Sequence, residues 1–303
     1  MLNRREHSRR EAVIVLTASA AFLLFQSLVV GLIPAQVLMV ALFLLMFFAS
    51  TWSRKLAVAL LPFVVFEVCY DWMRLWPNYM VNDIDVRGLH DAELSLFGIV
   101  LPEYFHAHHC VAADLLCGLA YLCWVPGPMA VGLWLYFSGR RRQYLRFAMA
   151  FLVVNWLGFA IYYVHPAAPP WYVIEHGFEP ILGTPGSAAG LERFDQLVGL
   201  PVFQSIYVNN SNIFAAVPSL HAAYMLVATI YAARSRCNRW LVALCALVTL
   251  AIWLAAVYTC HHYVIDVLLG IATAIIGVAL FERVILPLPP VQRFMAAYER
   301  YVS

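Results

Sequence analysis

The chain has 303 residues, of which 63% are apolar and only 12% charged, and its mean hydropathy is +0.78. Soluble globular domains carry about 25% charged residues, so this composition excludes them and points to a polytopic membrane protein. The net charge of +2 provides no basic field for nucleic acid, and no long polar insert is present to fold as a separate soluble enzyme.

Apolar stretches of about 17 to 25 residues, long enough to cross a bilayer, predict eight helices near 12–33, 36–51, 56–75, 113–137, 145–164, 217–233, 240–258 and 262–282. The second is short, so six or seven spans are the alternative. The first follows Arg4, Arg5, Arg9 and Arg10 as a secretion signal would. It exceeds the roughly 7 to 15 apolar residues of such a signal and runs through Pro34 into the next segment, so a retained span is expected. In the third span Glu67, Asp71 and Arg74 follow i, i+4, i+7 spacing and share a helix face near its outer end. Arg74, with Asp71, is a candidate contact for a phosphate group; the alternative is an internal ion pair. The expected fold is all-α, a single integral-membrane domain over 1–303, with N-terminal helices to 55, a catalytic core over 56–283 and a tail over 284–303.

Basic residues give the sidedness. With eight spans, Arg4 to Arg10, Arg54 with Lys55, Arg140 to Arg142, Arg234 to Arg239 and Arg283 all fall on one side, which the positive-inside rule makes cytoplasmic together with both termini. The long connections 76–112 and 165–216 and the short turn 259–261 then share the opposite face. Connections of this length are usually functional or disordered. These hold Trp76, Tyr79, Asp83, Asp85, Arg87, His90 and Glu93, then Trp171, Tyr172, Arg193 and Asn209 to Asn212, a content that suits ordered interfacial caps. The seven cysteines form neither a paired CxxC nor a disulfide framework, and His106, His108, His109 and Cys110 match no zinc spacing. Neither a metal nor another cofactor is expected.

Two clusters at the mouths of long apolar segments carry the chemistry. Pro218-Ser219-Leu220-His221 is one; His262 with Asp266 is the other. At i and i+4, His262 and Asp266 share a helix face, so the carboxylate can fix the imidazole's tautomer and leave its other nitrogen free to attack phosphorus. Attack on a phosphate ester needs a nucleophile and a proton donor for the leaving oxygen, and His262 and His221 can fill those roles. Ionisable groups near bilayer depth are costly and usually pair or function.

These two clusters resemble the second and third signature motifs of the phosphatidic acid phosphatase type 2 superfamily. The stretch His165-Pro-Ala-Ala-Pro-Pro-Trp171-Tyr172, with Tyr70-Asp71-x-x-Arg74, Pro77-Asn78-Tyr79 and Tyr121-Leu-Cys-Trp-Val-Pro126, resembles the inositol phosphorylceramide synthase branch. The similarity runs from about 66 to 283. It implies that His262 forms a phosphohistidine, that Asp266 orients it, and that His221 protonates a departing diacylglycerol and then deprotonates a ceramide-like acceptor. It also implies lipid substrates, phosphatidylinositol as donor and ceramide or dihydroceramide as acceptor. Ser219, Pro169, Pro170, Trp171, Tyr172 and Tyr263 are expected to border the substrate, the proline-aromatic element as a lining of the lipid entry path or as a rigid interfacial anchor.

The chain also departs from the superfamily's phosphatases. It has no Arg-Pro pair, and Ala255 and Ala256 stand where a Ser-Arg pair is expected. A phosphomonoester dianion calls for several cations and a phosphodiester carries one charge, so the departures favour a diester donor. A lipid phosphate phosphatase that hydrolyses a phosphomonoester is the alternative.

Overall fold

The computed structural model describes residues 9–31, 33–208 and 210–303. The N-terminal arginines Arg4 and Arg5 and the loop residue Asn209 lie outside the described residues. The structure is helical throughout, with no named strand among the described residues, and it divides into two compact units: residues up to 75 together with 289–303, and residues 76–288.

In the first unit, Arg9–Val29 and Pro34–Ala49 are separated by a turn in which Gly31 has φ +93°, a left-handed conformation that only glycine adopts freely. Ser50 caps the next helix by accepting from Ser53 N at 3.1 Å. The expected span 56–75 is two helices, Thr51–Ala59 and Leu61–Leu75, bent by 45° at Leu60. Pro62 opens the second helix, where its missing N–H costs nothing, but it cannot continue the first. Trp72 ties this helix back by donating to Gln26 Oε1 at 2.8 Å. The segment expected as a tail forms a helix, Pro289–Val302, whose Tyr298 hydroxyl donates to Val58 O at 2.6 Å.

In the second unit, the helix Leu220–Arg234 is central, packed by Pro126–Phe137, Arg141–Val164, Arg239–Tyr258 and Val264–Leu280. The expected span 113–137 is again a broken pair, Val111–Tyr121 and Pro126–Phe137, bent by 41°, with Pro126 and Pro128 interrupting the hydrogen-bond ladder. The expected span 217–233 is shortened to 15 residues because Ser219 is its N-cap. Among the described residues four helices are individually long and apolar enough to cross a membrane, or six if each bent pair is one span, the lower end of the six to eight expected. Leu24, Leu28, Leu247, Leu250 and Leu254 stand exposed on such helices, which suits an apolar surround.

The connections 76–112 and 165–216 are ordered. Short helices Gly88–Phe97, Leu101–Ala107, Pro170–His176, Glu192–Val198 and Val202–Tyr207 join extended strips, where Asp85 bridges Ala167 and Ala167 bridges Ala215, both in parallel. Asn78 is buried and donates to Tyr162 O at 2.9 Å and Phe214 O at 2.8 Å, pinning this layer to the helix beneath it.

Candidate active site

Both motifs sit where a helix begins. Ser219 Oγ accepts from Ala222 N at 3.2 Å, and Ser219 N donates to Asp266 O at 3.0 Å, so one cap stitches the two motifs together through backbone. The approach depends on Gly270: a Cβ there would lie 2.1 Å from Ser219 O. Tyr162 adds a hydrogen bond from its hydroxyl to Pro218 O at 3.1 Å, and Trp253 Nε1 donates to Ala222 O at 2.9 Å.

The second motif follows the end of Arg239–Tyr258. Cys260 turns the chain with φ +62°, a left-handed conformation uncommon outside glycine, and the amides of His261 and His262 both donate to Ala256 O, at 3.1 and 3.0 Å. His262 therefore precedes the helix Val264–Leu280 instead of lying on it, which corrects the expected shared helix face. The carboxylate still meets the ring, because Asp266 folds back over the helix start. Its Oδ2 accepts from Tyr263 N at 2.9 Å and lies 3.5 Å from His262 Nδ1.

His262 Nε2 is 2.9 Å from His221 Nδ1, across 41 residues of sequence. His262 is 4% exposed and Asp266 fully buried. The order is carboxylate, imidazole, imidazole, with the carboxylate on the Nδ1 side of His262 and Nε2 facing His221. Trp124 stands edge-on to His221 at 4.5 Å between centroids and Tyr121 lies 5.2 Å away, both at the break between the bent helices.

Two neighbours of the triad come from residues that spacing could not single out. Glu93 is fully buried, and its Oε2 accepts from Val264 N at 2.7 Å, capping the helix that Asp266 folds over. Burial pushes its carboxyl up to about 7, against backbone hydrogen bonds that pull it down. His261 packs against Tyr207 at 4.6 Å and Tyr121 at 5.3 Å. Only the folded connections bring Glu93, 171 residues away, to Val264.

The remaining expected site residues divide. Pro169 and Pro170 start the helix Pro170–His176, and Trp171 N donates to Cys260 O at 2.9 Å, so this element braces the turn that carries His262. Tyr172 is fully buried against Phe214, its hydroxyl donating to Glu179 O at 2.9 Å. Tyr263 is buried among Leu89, Val100, Ala167, Ala216 and Val217. Arg74 and Asp71 pair with each other in the first unit, where Gln36 also donates to Asp71. Of the loop cations, Arg87 lies over Phe178, while Arg193 is held by Asp114 at 2.7 Å and faces a cavity of about 270 Å³ that Trp171, Glu175 and Cys260 also line. Beside the site His165 Nε2 lies 3.2 Å from Asp85.

Comparison with known proteins fits this arrangement. The PAP2 superfamily matches residues 88–280, wholly within the second unit. The chain is 52% identical over 303 residues to a phosphoinositol dihydroceramide synthase of Bacteroides thetaiotaomicron, covering 98% of this chain and 99% of that one. It is 30% identical over 225 residues to an inositol phosphorylceramide synthase of Candida albicans, covering 70% of this chain and 46% of that one. It is 28% identical over 212 residues to the catalytic subunit of inositol phosphorylceramide synthase of Saccharomyces cerevisiae, covering 69% and 52%. No solved structure matches the chain.

Proposed function

Because the chain belongs to the PAP2 superfamily and keeps a carboxylate beside two adjoining imidazoles, we propose that it moves a phosphoinositol headgroup from phosphatidylinositol to ceramide or dihydroceramide. The triad geometry carries the chemistry. The choice of headgroup and acceptor is supported by the likeness to a phosphoinositol dihydroceramide synthase along the whole length.

In the first step His262 Nε2 attacks phosphorus, the N–P bond forms, and the P–O bond to diacylglycerol breaks as His221 gives its proton to the leaving oxygen. The 2.9 Å contact between the rings is where the phosphate enters, parting them. Asp266 holds the proton on Nδ1 and stabilises the cation that develops in the ring. In the second step neutral His221 takes the proton of the acceptor's primary hydroxyl, the oxygen attacks phosphorus, and the N–P bond breaks.

The reaction is assigned to the outer membrane face with both termini inside. Supporting this, the second unit's arginines at 140–142, 234–239 and 283 lie at the helix ends opposite the 259–262 turn.

The test is transfer by the purified protein from phosphatidylinositol to a fluorescent ceramide, with mass identification of the product. An inositol phosphate on ceramide, lost in His262→Ala, is the expected result. Phosphate released from a phosphomonoester panel without any ceramide product would replace this reading with the phosphatase.

A further inference from the structure

The turn that carries His262 holds a second imidazole that the two displacement steps do not use. His261 is 4% exposed. Its Nδ1 lies 3.1 Å from the carbonyl oxygen of Thr259 and 3.1 Å from Thr259 Oγ1. The carbonyl can only accept. The hydroxyl's own proton goes to Ala255 O at 2.7 Å, so toward His261 it accepts as well. Both neighbours of Nδ1 therefore demand a donor, and Nδ1 carries the ring's proton.

Burial, then the nearby imidazoles of His221 and His262, hold the ring's pKa well below the usual histidine value and keep it neutral. Nε2 is left with a bare lone pair. It has no hydrogen-bond partner among the described residues. Tyr121 packs on this ring and on His221 alike, at 5.3 and 5.2 Å, which places the acceptor in the aromatic cage around the reacting imidazoles. A buried acceptor without a donor is costly, and a site that uses one satisfies it when the ligand arrives.

We propose that His261 Nε2 accepts a hydrogen bond from a substrate hydroxyl, making His261 a specificity-determining residue for lipids that bring an O–H to the site. This inference rests on the phosphotransferase reading above. The shared chemistry is a hydroxyl donor, and two sources offer one: a ring hydroxyl of the cyclitol headgroup and the hydroxyls of the sphingoid acceptor. A trimethylammonium headgroup has no hydrogen to give, so the same atom disfavours choline lipids.

Two variants isolate the acceptor. His261→Phe keeps a ring against Tyr121 and Tyr207 and removes the lone pair; His261→Gln returns a neutral carbonyl acceptor at similar reach. Thermal melts establish that each is folded. His261→Phe is expected to raise KM about tenfold for one substrate with kcat within about twofold, and His261→Gln to recover most of it. A rise confined to phosphatidylinositol identifies the headgroup hydroxyl, and one confined to ceramide identifies the acceptor. Unchanged KM for both, or a fall in kcat alone that Gln does not rescue, overturns the proposal.

A readout on the wild-type protein needs neither turnover nor a folded variant. The ring ¹⁵N resonance of a bare Nε2 shifts when it accepts a hydrogen bond, so adding phosphatidylinositol or ceramide shifts it and phosphatidylcholine does not. No shift with any lipid, or the same shift with all three, overturns the proposal. Absence of transfer by the wild-type protein would end the phosphotransferase reading, while the resonance would still report whether Nε2 meets a lipid hydroxyl.

Discussion

Asp266 Oδ2 accepts from Tyr263 N at 2.9 Å and lies 3.5 Å from His262 Nδ1, so the carboxylate shapes the turn and, in the proposed mechanism, orients the nucleophile as well. Asp266→Asn separates these duties. The amide oxygen still caps Tyr263 N, but the negative charge that stabilises the developing imidazolium is gone. Transfer is expected to fall about a hundredfold or more in kcat with KM little changed, measured by steady-state kinetics. The triad was legible because His221, His262 and Asp266 are ionisable residues at the ends of apolar runs, where a charge is costly unless it pairs or reacts. Its neighbours were not. Glu93 reads as one more loop carboxylate until the fold buries it, and His261 reads as a duplicate of His262 until Thr259 fixes its tautomer.

At the scale of elements, the site is a junction of helix starts. Gly270 allows the helix Val264–Leu280 to pass under the Ser219 cap, and an added Cβ meets a backbone oxygen that no side-chain rotation can move. Gly270→Ala is therefore expected to cost about 1–3 kcal/mol and to lower kcat by spreading His221 from His262, which thermal melts and kinetics together would register. Glu93 caps the same helix from the other side. Its carboxyl titrates at about 7 in the folded protein against 4.5 as its ordinary value, so between these the folded state holds a proton that the unfolded chain has released. Stability from this group is present below about pH 4.5 and declines as pH rises toward 7, by about 3 kcal/mol at most. Glu93→Gln removes that decline. The wild-type minus variant difference in melting temperature is expected to fall between about pH 5 and 8, and a flat difference would mean that Glu93 does not titrate there. The difference between eight expected spans and six lies in Pro34–Ala49 and Leu220–Arg234, which at 16 and 15 residues are short of a full crossing, while the bends at Leu60 and before Pro126 fall inside segments that hydropathy had each read as one span.

At the scale of the molecule, the superfamily match lies in the second unit, and the first unit combines the two N-terminal helices, which carry no motif, with the C-terminal helix Pro289–Val302. That helix escaped the hydropathy reading because its apolar residues are interleaved with Gln292, Arg293, Glu299 and Arg300. The cysteines give a direct test of the orientation of the whole chain. Cys110 is exposed, beside the start of Val111–Tyr121, and its amide donates to the Tyr258 hydroxyl at 3.2 Å, at the end of the molecule that holds the triad. Cys237 lies at the opposite end of the same helices, between Arg236 and Arg239. If the arginine clusters face the cytoplasm, a membrane-impermeant maleimide applied to intact cells labels Cys110, and Cys110→Ala abolishes that label. If the C-terminus is cytoplasmic as proposed, a cysteine added at Ser303 is labelled only after the membrane is opened. The reverse pattern would put the phosphate chemistry on the cytoplasmic face, with diacylglycerol released into the inner leaflet.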